Sequence, residues 1–283
     1  MTLDKSILSR LSLIKYYFEI GYEQSLQNPP SCYFSILTFH DAVELFLVLG
    51  GEFLNATVNG KMFILDYWNV INQEIKRNNN KLSLKASFKK FNQLRKNFKH
   101  YGIIPNKEDI EYFRIIIRNF FEENTPIIFG IQFEDITLVD LVQIDKVKNV
   151  LIEVQNLREK ENYRNSLSKL GYAYRILIKD FKNKYRNIFN DDVDFDIPNE
   201  IKNELNYIYS RLEIALLGID YRRYITFDLY TTHCNQIDLS SFFDGIEKKT
   251  YKKEDVDFCM KFVIDCAIRI QNFINAYKQG LKF

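Results

Sequence analysis

The chain has 283 residues with 39 basic and 37 acidic side chains, a formal net charge of +2, so overall charge cannot argue for a nucleic-acid or membrane partner and only its local distribution can. Hydrophobic residues make up 46% and aromatics 15%, which excludes a disordered chain and allows one large domain or two of ordinary size. Ten glycines and five prolines leave few punctuation points, which disfavours a fold of many short strands and favours long helices.

Asp4 can cap a first amphipathic helix running to about Leu26, with Leu8, Leu11, Ile14, Tyr17 and Phe18 at helical spacing. Asn28-Pro29-Pro30 stops it. A second helix, Ser31 to about Phe53, is apolar almost all round. It contains His40, Asp41 and Glu44, and so reads as a buried core helix rather than a membrane span. Gly50-Gly51 marks its end or a close helix contact. A third helix, Lys61–Lys76, precedes the polar joint Asn78-Asn79-Asn80. The fourth, Lys81 to about Tyr101, lines up Leu84, Phe88, Phe91, Leu94 and Phe98. Gly102 supplies its C-terminal cap and Pro105 prevents resumption. A fifth helix runs from Lys107 to Glu123.

Thr125 to Leu138, with Pro126, Gly130 and β-branched residues, separates the halves, with a boundary near residue 130. The expected organisation is a helical domain over residues 1–125 and a mostly helical C-terminal domain over residues 139–283. Helices are predicted there over Val139–Glu161, Asn162–Phe189, Pro198–Leu217 and Lys253–Lys278, with an acidic loop Asp191–Asp196. Tyr224-Ile225-Thr226-Phe227-Asp228-Leu229 alternates as a strand does. The segment Lys107-Glu108-Asp109-Ile110-Glu111-Tyr112 reappears as Lys253-Glu254-Asp255-Val256-Asp257-Phe258. Either a helical domain has been duplicated and has degenerated, or acidic first turns recur because they suit the helix dipole.

Charge is concentrated in one place. Between Glu74 and Glu108 there is no acidic side chain, whereas Lys76, Arg77, Lys81, Lys85, Lys89, Lys90, Arg95, Lys96, Lys99 and Lys107 all fall there. Lys81, Lys85 and Lys89, spaced by four, would line one face and with Lys96 form a track for RNA phosphates. The other reading is a solvated face paired with the Asp191 loop. The run leads into Arg95, Asn97, Lys99, His100 and Tyr101. His100 lies in a last helical turn, where the dipole favours a protonated imidazole. On an ideal helix Arg95 and His100 stand about 140° apart, so they meet on one phosphate only if the last turn loosens or the substrate lies across the helix end. The competing expectation is a surface His100 and an Arg95 paired with Glu44.

Arg95-x4-His100 at a helix end, with polar Asn97 close after the arginine and a Lys99-His100-Tyr101-Gly102 ending, resembles the HEPN superfamily of toxins, abortive-infection proteins and RNA-guided ribonucleases. The resemblance follows helix order over residues 1–125 and is specific only at Arg95–Gly102. It implies an all-α, HEPN-type helical bundle. It implies Arg95 and His100 as the catalytic pair and Asn97 as a polar accessory. Apart from the resemblance, Glu44 is expected in support from the neighbouring helix, since burying it needs a cation, and so are Lys99 and Tyr101. Gly102 stands where one toxin branch carries a modified tyrosine, so that regulation does not transfer.

The implied reaction is metal-independent RNA cleavage. A 2′-hydroxyl attacks the adjacent phosphorus with a base on that oxygen and an acid on the departing 5′-oxygen, leaving a 2′,3′-cyclic phosphate. Arg95 would stabilise the charge on the equatorial oxygens. One histidine does not readily fill both roles, so a homodimer is expected to bring a second His100 and Arg95 to a shared cleft. RNA, a second copy and an antitoxin or defence-system protein are the expected partners. No membrane and no cofactor are expected, and the expected role is that of a cytoplasmic toxin or antiviral effector.

The remaining polar sets carry less. His40, Asp41 and Glu44 span about 100° of their helix; they could orient Arg95 or His100, form a satisfied buried network, or simply be the exposed edge of the helix. Cys32, Cys234, Cys259 and Cys266 are dispersed, which suits a reducing cytosol. His233-Cys234 has no paired CxxC or HxxxH spacing, so no metal site is expected. Arg222-Arg223 ahead of His233 could be a remnant of a second site.

Overall fold

The computed structural model describes residues 3–57, 62–75, 80–184, 217–235 and 250–279, with scattered positions between 198 and 215. The protein is all-α: among the described residues there are nine α-helices and no strand. It divides into two compact units, Met1–Asp140 and Leu141–Phe283.

In the first unit, α1 (Lys5–Ser25) starts where the Asp4 carboxylate accepts the Ile7 backbone N–H at 2.9 Å. α2 (Ser31–Phe53) is long and apolar enough to cross a membrane by composition. It serves here as the core helix, with Ile36, Phe39, Ala42, Val43, Phe46, Leu47 and Leu49 fully buried. α1 lies close along it, because a Cβ on Gly21 would come within 2.8 Å of the Phe39 ring. α5 (Lys107–Phe129) approaches the other end of α2, where Gly50 meets Ile128, and Phe46 packs edge-on against Phe120, Phe121 and Phe129. Gly50-Gly51 therefore marks a helix contact, three residues before the helix ends.

α3 (Ile64–Ile75) brings Trp68 between Phe88 and Phe120. α4 (Lys85–Tyr101) begins four residues later than its apolar pattern suggests. The Leu82 and Ser83 backbone N–H groups donate to the side-chain oxygens of Asn72 and Asn124, at 2.8 and 3.0 Å, and Leu84 takes left-handed backbone angles at φ 64°. The left-handed Leu84 breaks the helical run ahead of Lys85, and the two side-chain amides satisfy the N–H groups of the segment before it. α4 ends as expected, with Gly102 at φ 67°, its N–H on the Phe98 carbonyl and the Ile103 N–H on the Asn97 carbonyl.

α5 corrects a second expectation. It does not stop at Glu123 but continues through Pro126 to Phe129, capped by Gly130 at φ 72°. Proline removes one helical donor, but Phe121, Ile128 and Phe129 are buried on either side and hold the helix together. The chain then folds back over α1. There Lys15 Nζ donates to the carbonyls of Phe133, Glu134 and Ile136 at 3.2, 2.9 and 2.6 Å.

The second unit contains α6 (Asp145–Glu159), α7 (Tyr163–Lys184), α8 (Tyr221–Asn235) and α9 (Lys253–Lys278). The predicted strand Tyr224–Leu229 lies inside α8. Its inward residues follow helical spacing, with Phe227 buried against Phe262 and Tyr174, and its threonines bond back one turn, Thr226 to Arg222 and Thr231 to Phe227. The Asp220 carboxylate caps it by accepting the Arg222 and Arg223 N–H groups. Lys61, Lys76, Arg77, the acidic Asp191–Asp196 loop and most of Pro198–Leu217 lie outside the described residues. Both Lys-Glu-Asp segments open the last helix of their unit: Asn106 caps α5, and the Asp255 carboxylate accepts the Lys252 N–H at 2.9 Å ahead of α9.

Candidate functional site

The basic run resolves into one helix and its approach. Lys81 is exposed but precedes α4, so the expected face of three lysines is reduced to Lys85 and Lys89 within the helix. Lys85 donates to the Asn69 side chain at 2.6 Å, whereas Lys89, Lys90, Lys96 and Lys99 stand out in solvent. Among the described residues no carboxylate pairs with Lys85, Lys89, Lys90, Arg95, Lys96 or Lys99. Basic side chains elsewhere in the first unit do pair, Arg10 with Glu52, Arg118 with Glu122 and Lys107 with Glu111. Among the described residues the positive charge of α4 is therefore left uncompensated.

Arg95 is half-buried, and its Nε is buried with no hydrogen-bond partner. The Arg95–Glu44 ion pair does not form. Glu44 instead leans toward His40 on its own helix, with Oε2 at 3.6 Å from Nδ1, while Asp41 Oδ1 stands at 3.8 Å. His40 is only 4% exposed, its ring 6.3 Å from that of Phe91 on α4. Burial lowers its pKa to about 4, helped by the Arg95 guanidinium and opposed by the Asp41 carboxylate and by hydrogen bonding, chiefly to Asn92. His40 is thus neutral at pH 7. Asn92 was not singled out from the sequence. Its position three before Arg95, on the same helix face, was the available signal.

His100, Lys99 and Tyr101 are exposed at the helix end, Tyr101 to 66%. The last turn does not loosen: α4 remains α-helical to Tyr101, so Arg95 and His100 keep a separation of about 140° around the axis. Asn97 is about 160° from Arg95 and about 60° from His100, and its side-chain oxygen accepts from Gln93 Nε2 at 2.8 Å. The structure thus places Arg95 with Asn92 and His40 on the α2-facing side, and Asn97 with His100 on another. Phe98 ties this end to α2 through an edge contact with Phe34, centroids 5.8 Å apart.

In the second unit, Arg223 Nη1 is held by Asp265 at 2.8 Å, and the side chains of His233 and Cys234 lie outside the described residues. Cys32, Cys259 and Cys266 are buried free thiols, and burial pushes the Cys266 pKa above its usual value. Comparison with protein-family models, with curated proteins and with solved structures returns no match.

Proposed function

We propose that this protein binds RNA along α4 and cleaves it without metal at the helix end, as a HEPN-type endoribonuclease acting in a toxin or defence role. The observation that carries this reading is the uncompensated positive helix, whose cations have no carboxylate partner among the described residues. Each phosphate held by such a side chain adds affinity through counterion release. The half-buried Arg95, with its orphaned Nε, offers a guanidinium for a phosphate oxygen. His100, exposed at the cationic end of the track, can move a proton to or from the reacting oxygens.

Because a regular α4 keeps Arg95 and His100 apart, the two act on one phosphodiester from different copies. A two-fold dimer sets the His100 of one copy against the Arg95 of the other, giving two separate sites with one histidine each, at which water takes the second proton-transfer role. Incubating the full chain with labelled single-stranded RNA in EDTA tests this. Fragments ending in a 2′,3′-cyclic phosphate are expected, and His100→Ala abolishes them without lowering Tm.

A second reading, a helical module that binds RNA without cutting it, is favoured by that same separation of Arg95 from His100. Salt-sensitive binding with the RNA left intact would establish it in place of the first.

A further inference from the structure

We propose that His40, Asp41 and Glu44 on α2 form a divalent-cation site, with His40 Nδ1, an Asp41 carboxylate oxygen and a Glu44 carboxylate oxygen as ligands. The inference goes beyond the RNA reading and does not depend on it.

The three side chains bring one ligand atom each to within 4.8 Å of one another. His40 Nδ1 stands 3.6 Å from Glu44 Oε2 and 3.8 Å from Asp41 Oδ1, too long for hydrogen bonds. Two ligand atoms held at about 2.1 Å on a tetrahedral ion are about 3.4 Å apart, so the two histidine–carboxylate spans need only slight closure, and the two partly exposed carboxylates, within 4.8 Å of each other, are free to swing together from solvent. The buried member is the independent pointer. His40 is 4% exposed, and its Nδ1 is a buried polar atom with no hydrogen-bond partner, a costly arrangement if it stays unfilled.

Asn92 on the facing helix acts on the imidazole. A neutral imidazole protonated at Nε2 presents a lone pair at Nδ1. Such a lone pair and the Asp41 and Glu44 carboxylates would serve as three ligands to one cation.

His40 and Glu44 are one helical turn apart, the spacing that lets two side chains on a helix share an ion. One nitrogen and two carboxylate oxygens suit Mn2+, Zn2+ or Co2+ more than Ca2+. Asp41 and Glu44 are 56% and 44% exposed at the side chain, so the ion enters from solvent and keeps water on its open positions. The opposing charge is Arg95, near enough to act on His40. An ion bound beside it would drive the guanidinium outward, toward the face that meets phosphate.

The experiment titrates the chelator-stripped full chain with Mn2+, read by loss of the free-ion paramagnetic resonance signal. Mn2+ avoids the three buried thiols, which a thiophilic metal would seek. One equivalent is expected, weakened tenfold or more by Glu44→Gln and by Asp41→Asn, both partly exposed changes that spare the core. Arg95→Gln is expected to tighten binding several-fold by removing the opposing charge, a response that an adventitious surface site would not give. No saturable equivalent, or affinity unchanged in Glu44→Gln, overturns the site. Cleavage is assayed in EDTA, so loss of this site and loss of the RNA reading remain separate results.

Discussion

His40 on α2 and Arg95 on α4 oppose one another across the helix contact, each with a buried nitrogen that lacks a hydrogen-bond partner. Burial is the largest cause of the lowered basicity of His40 and the guanidinium the second. Replacing Arg95 by Met should therefore raise the His40 titration midpoint above about 4, toward the value of a free imidazole. Histidine NMR signals followed from pH 3 to 8 in EDTA measure this directly. An unmoved midpoint would mean that the two helices are not in register as described.

The same shift makes a stability prediction. In the unfolded chain His40 takes its proton near pH 6.5, in the folded chain only near pH 4. Folding is thus unaffected by this group above about pH 7 and is progressively opposed as pH falls from 6.5 toward 4. By linkage, the His40 contribution at pH 5 is a loss of about 2 kcal/mol relative to pH 7. Denaturant melts in EDTA should show His40→Asn less acid-sensitive than wild type by roughly that amount. Equal sensitivity would contradict a histidine buried neutral.

RNA affinity should fall with salt, and the lysines should account for the slope. On a single strand each phosphate contact contributes about 0.7 to the slope of log affinity against log salt concentration. Lys89→Gln and Lys96→Gln should each lower it by about that amount, with no change in Tm, since both side chains are exposed. Fluorescence anisotropy at several salt concentrations is the measurement. A slope indifferent to both changes would remove α4 as the RNA track.

Gly102 makes a purely structural prediction. Its φ of 67° is left-handed, and a Cβ there would meet nothing within 4 Å. The cost of Gly102→Ala is therefore conformational and amounts to about 1 kcal/mol. Gly21→Ala has no backbone penalty but sets a methyl 2.8 Å from the Phe39 ring, and should lower Tm by packing instead.

Much of the first unit was legible because its signals are local. Asp4, the Asn28-Pro29-Pro30 break, the apolar α2 and the Gly102 cap all announce themselves within a few residues. The failures came where distant groups decide. Helix α4 starts late because Leu84 is left-handed, in a segment whose N–H groups are held by the distant Asn72 and Asn124 side chains. Helix α5 survives Pro126 because its last turns are buried. The Tyr224–Leu229 alternation gave way to a helix because Phe227 had an aromatic pocket at helical spacing. At the site, residue spacing already separated Arg95 from His100 by about 140°. What spacing could not show was that Arg95 would lie against His40 and Asn92 rather than pair with Glu44, since that depends on how α2 meets α4.

The most direct test mixes two inactive variants. If Arg95 and His100 serve one phosphodiester from different copies, Arg95→Ala and His100→Ala should each be dead alone. Mixed in equal amounts and allowed to exchange, they should regain about a quarter of wild-type sites, since half of random dimers carry one intact site of two. Recovery of RNA cleavage in EDTA is the result expected. A mixture as silent as either variant, beside an active wild type, would contradict cleavage shared between copies.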